Sequence, residues 1–584
     1  MKLLLALAVG LSATAVQAAD KGHDALSRLF AEERQVYYAE NPGSGPMDQP
    51  QPMADEMPHE SLADFARREV QDQAFLDALR KIDRTKLTEE DQLNYDMFAY
   101  MIETRLLFAK YRTWRIPLSG DTAFHAYSLG MGNRLRFKNA DDYETYIRRM
   151  QDIPRWLEEN IAAARIGIKE GFVVPAIVIK GVMPSFDAAV VATAEESTLY
   201  APFREMNGDV GEADQAALRA KAKKVLEGKV LPAYKALADF MHNEYLPAAR
   251  EDLAAVNLPD GKEFYDAMVR YYTTLDITAD DVHALGLKEV ARIRAEMDAV
   301  MKDAKFDGTF KEFQNFLRTD PQFYAKTPQE LLMYASWLAK RIDHKLPSLF
   351  GKLPRQPYGV VPVPDAIAKN YTTGRYSGAT LDSPTGGEYW VNTYALDQRP
   401  LYELPSLTLH EAVPGHHLQN ALGLELENVP EFRLELYPHA FGEGWGLYSE
   451  KLGLEIGLYT TPYEQMGRLS YEMWRACRLV IDTGIHSKGW SREQAIQFMT
   501  ENTALSPLNI SAEIDRYIAW PGQALAYKMG ELKILELRAR AEKELGAKFD
   551  IRAFHDRVLS AGGVPLTILD DRIDSWIKAQ KAIN

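Results

Sequence analysis

The chain has 584 residues, 46% of them hydrophobic and 26% charged, with a formal net charge of −15. This is the composition of a globular protein, long enough that more than one lobe is expected. The acidic balance argues against a nucleic-acid partner, because no basic excess is available to neutralise phosphates, and the lone Cys477 excludes any intramolecular disulfide.

Residues 1–18 read as a cleavable secretory signal. Met1-Lys2 is a positive start, Leu3 to Val16 is apolar apart from Gly10, Ser12 and Thr14, and Val16-Gln17-Ala18 offers a small-x-small cleavage site. The apolar core is too short for a membrane span, and no cysteine stands at the cleavage point, so no membrane or lipid anchor is expected. The mature protein is expected to be periplasmic or secreted. Residues 19–60 lack helical periodicity and carry Pro, Gly and Met; an extended segment is expected, with Asn41 to Pro52 laid over the surface.

Helical periodicity dominates residues 61–350. Thr278 precedes the amphipathic run Val282 to Lys305, with Asp280 and Asp281 in the first turn, and Thr327-Pro328-Gln329-Glu330 starts another helix in the same way. Between Leu353 and Pro400 five prolines and five glycines forbid a long helix. Within that segment Glu388 to Tyr394 is β-prone and alternates, which predicts a short strand. Helices resume after Pro400. The expected fold is mainly α: a helical lobe at 61–350, a second lobe at 351–584 carrying the chemistry, a cleft between them, and a short strand beside the key helix.

The chemistry centres on Leu407-Thr408-Leu409-His410-Glu411-Ala412-Val413-Pro414-Gly415-His416-His417. In HExxH metallohydrolases two histidines one helical turn apart hold zinc, and the glutamate after the first activates the bound water. Here Pro414 occupies the usual second histidine position. On a continuous helix His416 would lie about 9 Å beyond His410 and His417 about 10.5 Å beyond it, whereas two nitrogens on one zinc approach to about 3.5 Å. Pro414 clashes with the carbonyl of His410 and Gly415 tolerates unusual dihedrals, so the helix is expected to bulge and restart. His416 is the expected second ligand, because Gly-His at the end of the bulge mimics the end of a regular motif; His417 is the rival.

The third ligand is expected to be an acid on a later helix. Phe441 to Glu450 offers Glu443, 33 residues after His410, and Glu450 two turns on as a ligand or a supporting group. Tyr517 and Tyr527 are candidate hydrogen-bond donors to an oxyanion, with interior packing as the alternative for each. Arg475, Arg478 and His486 are candidates for a substrate carboxylate. Tyr371, Tyr376 and Asn392, around the strand, are candidates for lining the substrate site. Cys477 reads as a small buried residue rather than a nucleophile.

The segments HEAVPGHHLQ, EGWGLYSE, RYIAWPGQALAYKMGELK and NYTTGRYSGAT…GEYWVNT resemble the bacterial domain-of-unknown-function family numbered 885, which is grouped with zincin-like peptidases. The resemblance covers most of the mature chain. More distantly, the layout is similar to thimet-type oligopeptidases and helical Taq-type carboxypeptidases. It implies one zinc held by His410, Glu443 and a second histidine, Glu411 as general base, and an assisting tyrosine near the C-terminus. The strand at Glu388 to Tyr394 is expected to bind an extended peptide by edge pairing, which favours peptides over other amides. A closed helical cleft favours short ones, so an activity of oligopeptidase or carboxypeptidase type is expected. A non-peptide zinc amidase or esterase, and a silent metal-retaining binding protein, are the alternatives.

Overall fold

The computed structural model describes residues 2–47, 49–116, 118–119, 122–369, 371–381 and 383–582, and the side chains of these except 2–20, 119, 122, 134 and 366. It is mainly helical, with one three-stranded sheet. The expected signal segment, residues 1–18, lies outside the described side chains. Residues 21–40 are helical rather than extended: the N-terminal helix Lys2–Glu40 continues through them and buries Leu26, Leu29 and Phe30. Phe30 packs on Phe98 and Phe432 at ring-centroid distances of 5.0 Å each. The apolar spacing in this stretch is short and flanked by charge, which hides it from a periodicity reading.

The contact pattern divides the chain into two compact units. The first comprises Met1–Asp252, Asn257–Asp260 and Pro430–Arg433; the second comprises Leu253–Val256, Gly261–Val429 and Leu434–Asn584. The helices from 261 to 350, grouped by sequence with the first lobe, pack in the second unit.

In the first unit, helix Ala140–Glu170 presents Tyr146, Ile147, Met150, Ile153 and Leu157 at helical spacing to one continuous core. Wide turns at Leu226–Val230 and Met241–Tyr245 immediately precede Leu231-Pro232 and Leu246-Pro247. A proline ring collides with the carbonyl four residues back, and the wider turn makes room for it.

The second unit is built on α1 (Ala279–Asp303), α2 (Pro328–Asp343), β1 (Tyr358–Pro362), β2 (Gly374–Ser377), β3 (Gly387–Val391), α3 (Leu404–Glu411), α4 (His416–Leu424), α5 (His439–Glu455), α6 (Pro462–Lys488), α7 (Pro507–Ala519) and α8 (Ala526–Leu545). Thr278 and Thr327 cap α1 and α2 by accepting the N–H groups of Asp281 and Glu330. Helix α1 crosses α6 where Gly286 meets Leu479 and Val480. The sheet order is β1-β3-β2, with β3 parallel to β1 and antiparallel to β2. The predicted strand at Glu388 to Tyr394 is thus β3, the central strand. Its inner face, Tyr389 and Val391, is buried.

Helices α5 and α8 touch backbone to backbone. A Cβ on Gly530 would lie 1.8 Å from the carbonyl oxygen of Ala440 and 2.7 Å from Cα of Gly444. Gly530→Ala is therefore expected to force the helices apart and cost about 3 kcal/mol of unfolding free energy, read from the midpoint of urea denaturation. An unchanged midpoint would show that the contact is looser than this.

Candidate metal centre

Helix α3 stops at Glu411. Ala412 leaves helical geometry (φ −94°, ψ −109°), the Val413–Pro414 peptide is cis, and Gly415 (ψ −130°) leads into α4. The break folds the chain back on itself: a Cβ on Gly415 would lie 1.9 Å from the carbonyl oxygen of His410 and 2.4 Å from that of Leu409. Two bonds hold the junction. The N–H of His417 donates to the Ala412 carbonyl at 3.1 Å, and the Trp445 indole N–H donates to the Pro414 carbonyl at 2.8 Å.

This junction brings His410 and His416 together, with ring centroids 4.8 Å apart and planes at 88°. Glu443, from the first half of α5, completes the group. Its Oε2 lies 3.8 Å from His410 Nε2 and 3.6 Å from His416 Nε2, and the three ligand atoms all lie within 4.8 Å of one another. Ligands on a tetrahedral zinc with bonds of about 2.0–2.1 Å stand about 3.4 Å apart. The two carboxylate–imidazole separations are close to that value. Two imidazoles and one carboxylate, with no fourth ligand in the group among the described residues, fit a zinc site with an open position.

The group is supported from behind. His410 packs directly on Gly446, and its Nδ1 is bonded to Glu450 Oε1 at 2.8 Å, which aims Nε2 at Glu443. Glu450 thus stands behind the triad and not in it, with Arg475 Nη2 3.5 Å away. Such a carboxylate behind a metal-binding histidine fixes the ring's orientation and raises its basicity. Burial opposes charge on His410, but Glu443 and Glu450 outweigh it and raise its pKa to about 9. Burial likewise opposes charge on Glu443, and the two histidines hold its carboxyl well below the usual range. The carboxylates of Glu443 and Glu450 thus favour positive charge at this point of the pocket, as a divalent cation would bring.

Glu411 faces the sheet edge, where the backbone N–H of Tyr376 in β2 donates to its Oε2 at 2.8 Å. His417 points elsewhere. Its Nε2 bonds the Gln356 carbonyl at 3.1 Å and its ring packs on Tyr358 and Tyr376, with burial pulling its pKa down.

The two tyrosines part company. Tyr527, half-buried in the first turn of α8, lies within the field of Glu443; burial first and that charge second push its phenol up. The Arg478 guanidinium stacks on its ring at 4.1 Å. Tyr517 is not an available donor. Its buried hydroxyl accepts from Arg478 Nε at 2.8 Å and Trp474 Nε1 at 3.1 Å, and donates to Glu513 at 2.7 Å.

The residues named for a substrate carboxylate are also engaged. Arg478 serves Tyr517 and Glu513, Arg475 lies between Glu450 and the rings of Tyr471 and Trp474, and His486 Nε2 bonds the Tyr517 carbonyl at 2.9 Å. All three are buried, because α6 is enclosed on nearly every side. Asn392, fully buried, braces the loop before β2 through the carbonyls of Ala368, Tyr371 and Thr372. Tyr376 packs on His417, and Tyr371 lies beside Trp390 at 5.9 Å. Cys477 is fully buried, and burial pushes its thiol well up.

Two residues near the site escape a sequence reading. Tyr437, just before α5, lays its phenol over Gly442; nothing local signals it. Arg375 sits in β2 between Gly374 and Tyr376, exposed, on the sheet face opposite Tyr376. Partial burial works against its charge, but the Tyr371 hydroxyl and the Glu411 carboxylate outweigh that and raise its pKa. Strand alternation was the available signal for Arg375.

Two solved structures share this fold. A protein described as a "putative lipoprotein" from Colwellia psychrerythraea is 27% identical, with 96% of this chain and 99% of that chain covered at a TM-score of 0.86. One so described from Shewanella oneidensis, "of unknown function", is 17% identical, with 95% and 99% covered at a TM-score of 0.69, a likeness of fold alone. No curated protein matches the chain. Residues 42–573 match the family described as bacterial protein of unknown function, DUF885. On a match that runs through both units, the chain belongs to the DUF885 family.

Proposed function

We propose that the protein is an exported zinc-dependent hydrolase that cleaves short peptides. The observation that carries this reading is the convergence of His410, His416 and Glu443 ligand atoms within 4.8 Å, with Glu411 adjoining. A zinc held by those three supplies Lewis acidity, which makes water nucleophilic near neutral pH and polarises a carbonyl. The chain's own groups do the rest. Glu411, with Oε2 tied to Tyr376 N–H, keeps Oε1 to take a proton from the attacking water and pass it to the leaving amine. Tyr527 retains its phenol proton and donates a hydrogen bond to the oxygen that gains negative charge.

Peptides are favoured over other amides by the sheet. Because β3 is central, it cannot take a substrate strand, contrary to the sequence expectation; β2 is the edge beside Glu411. In a strand the N–H and C=O of one residue point the same way. The Tyr376 carbonyl therefore faces Glu411's side and is placed to accept from an extended peptide. Export is supported by the signal-like N-terminus and by the lipoprotein description of the structural relative from Colwellia psychrerythraea. Among the described residues no helix is long and apolar enough to cross a membrane.

Digestion of a mixed peptide library by the zinc-loaded protein, read by mass spectrometry, tests the reading. New termini are expected with the wild type and not with Glu411→Gln. A library left intact at stoichiometric protein would contradict it.

A further inference from the structure

A peptidase for short peptides needs a means of registering the end of its substrate, and the cations first named for this are internal. Arg475 and Arg478 are buried and paired with Glu450 and Glu513. Arg516, near Tyr527, is also tied to Glu513. Arg375 differs from them. It is exposed, and among the described residues it has no carboxylate within 4.0 Å, although its neighbour in the chain anchors Glu411.

Its position follows from the strand. Arg375 lies opposite Trp390 of β3, and Trp390 in turn meets Tyr371. Arg375 thus stands on the outer sheet face, cross-strand from Trp390 and with the Tyr371 hydroxyl as a partner of its guanidinium, at the edge strand where a peptide would run. Partial burial strips some water from the cation, and the Tyr371 hydroxyl accepts from its guanidinium, which leaves further N–H groups for a ligand. The fork of a guanidinium matches a carboxylate with two parallel bonds.

We propose that Arg375 binds the C-terminal carboxylate of the substrate, making the protein specific for peptide bonds close to a free C-terminus. This deepens the peptidase reading and rests on it for the identity of the ligand. The reach is short. Arg375 is one residue from the N–H that holds Glu411, and a strand advances about 3.3 Å per residue. A carboxylate held there leaves room for one to three residues beyond the bond being cut.

The test compares a pentapeptide of alanine, labelled at its N-terminus, as free acid and as C-terminal amide. Binding is read by fluorescence anisotropy with the protein carrying Glu411→Gln, which prevents turnover. The acid is expected to bind about tenfold or more tightly than the amide. Adding Arg375→Gln is expected to abolish the difference, and Arg375→Lys to keep part of it. Equal binding of acid and amide, binding of neither, or a preference that survives Arg375→Gln would overturn the proposal. An acid preference lost with Arg375→Gln, beside an uncut peptide library, would leave the carboxylate site standing and remove the peptidase reading.

Discussion

Glu411→Gln is expected to keep its zinc and lose turnover by about 10²–10⁴-fold, the usual contribution of a general base. The amide matches the carboxylate in shape, and its carbonyl oxygen can still accept the Tyr376 N–H seen at 2.8 Å. What it cannot do is take a proton from water. Glu443→Ala is expected to behave differently. Glu443 is the carboxylate shared by both histidines, at 3.8 and 3.6 Å, and its loss removes a ligand and leaves two buried imidazoles facing each other. Zinc content should fall along with activity. The contrast separates the two glutamates, and metal analysis beside a peptide-cleavage rate reads it. Equal loss of metal from both variants would make Glu411 a ligand and leave the site without its base.

The second large effect concerns the junction between α3 and α4. His416→Ala is expected to abolish stoichiometric zinc binding, because one of three ligands is gone. His417→Ala is expected to weaken it by no more than about 10–100-fold, the range for groups that only support ligands. The physical reason is the direction of each ring: His416 faces Glu443, whereas His417 bonds the Gln356 carbonyl. Gly415→Ala should resemble His416→Ala although Gly415 holds no metal. Its new methyl would fall 1.9 Å from the His410 carbonyl, and relieving that clash moves His416 away from His410. Zinc affinity is expected to drop by more than about 100-fold, with helix content retained by circular dichroism. The reverse ranking of the two histidines would show that the chain rejoins the metal one residue later.

What could be read in the sequence was local. Thr278 and Thr327 announce α1 and α2 because a cap and its first turn lie within four residues. Pro414-Gly415 announces the break after Glu411 for the same reason. A chain that bulges at Pro414-Gly415 returns at His416, and in the structure that residue faces His410 and Glu443.

What could not be read depended on partners far along the chain. The strand at 387–391 was visible, but its central place was not, because β1 lies in a Pro-rich stretch nearly thirty residues earlier. Tyr517 and Tyr527 look alike in sequence; Arg478 and Trp474 decide that one is an internal strut. The arginines of α6 look like surface charge until the helix proves to be enclosed. Buried charges must be paired, so enclosure itself removes them as free carboxylate binders. Arg375 is not legible as a site residue because the strand that carries it is four residues long and lies among glycines.

The most direct test of the central claim is zinc per chain, measured by mass spectrometry of the element on protein purified without chelator and dialysed after supplementation. The account predicts about one zinc for the wild type, set by three protein ligands with one open position, and close to none for His416→Ala. Less than about a tenth of an equivalent in the wild type would contradict it, as would an equal zinc content in the two proteins.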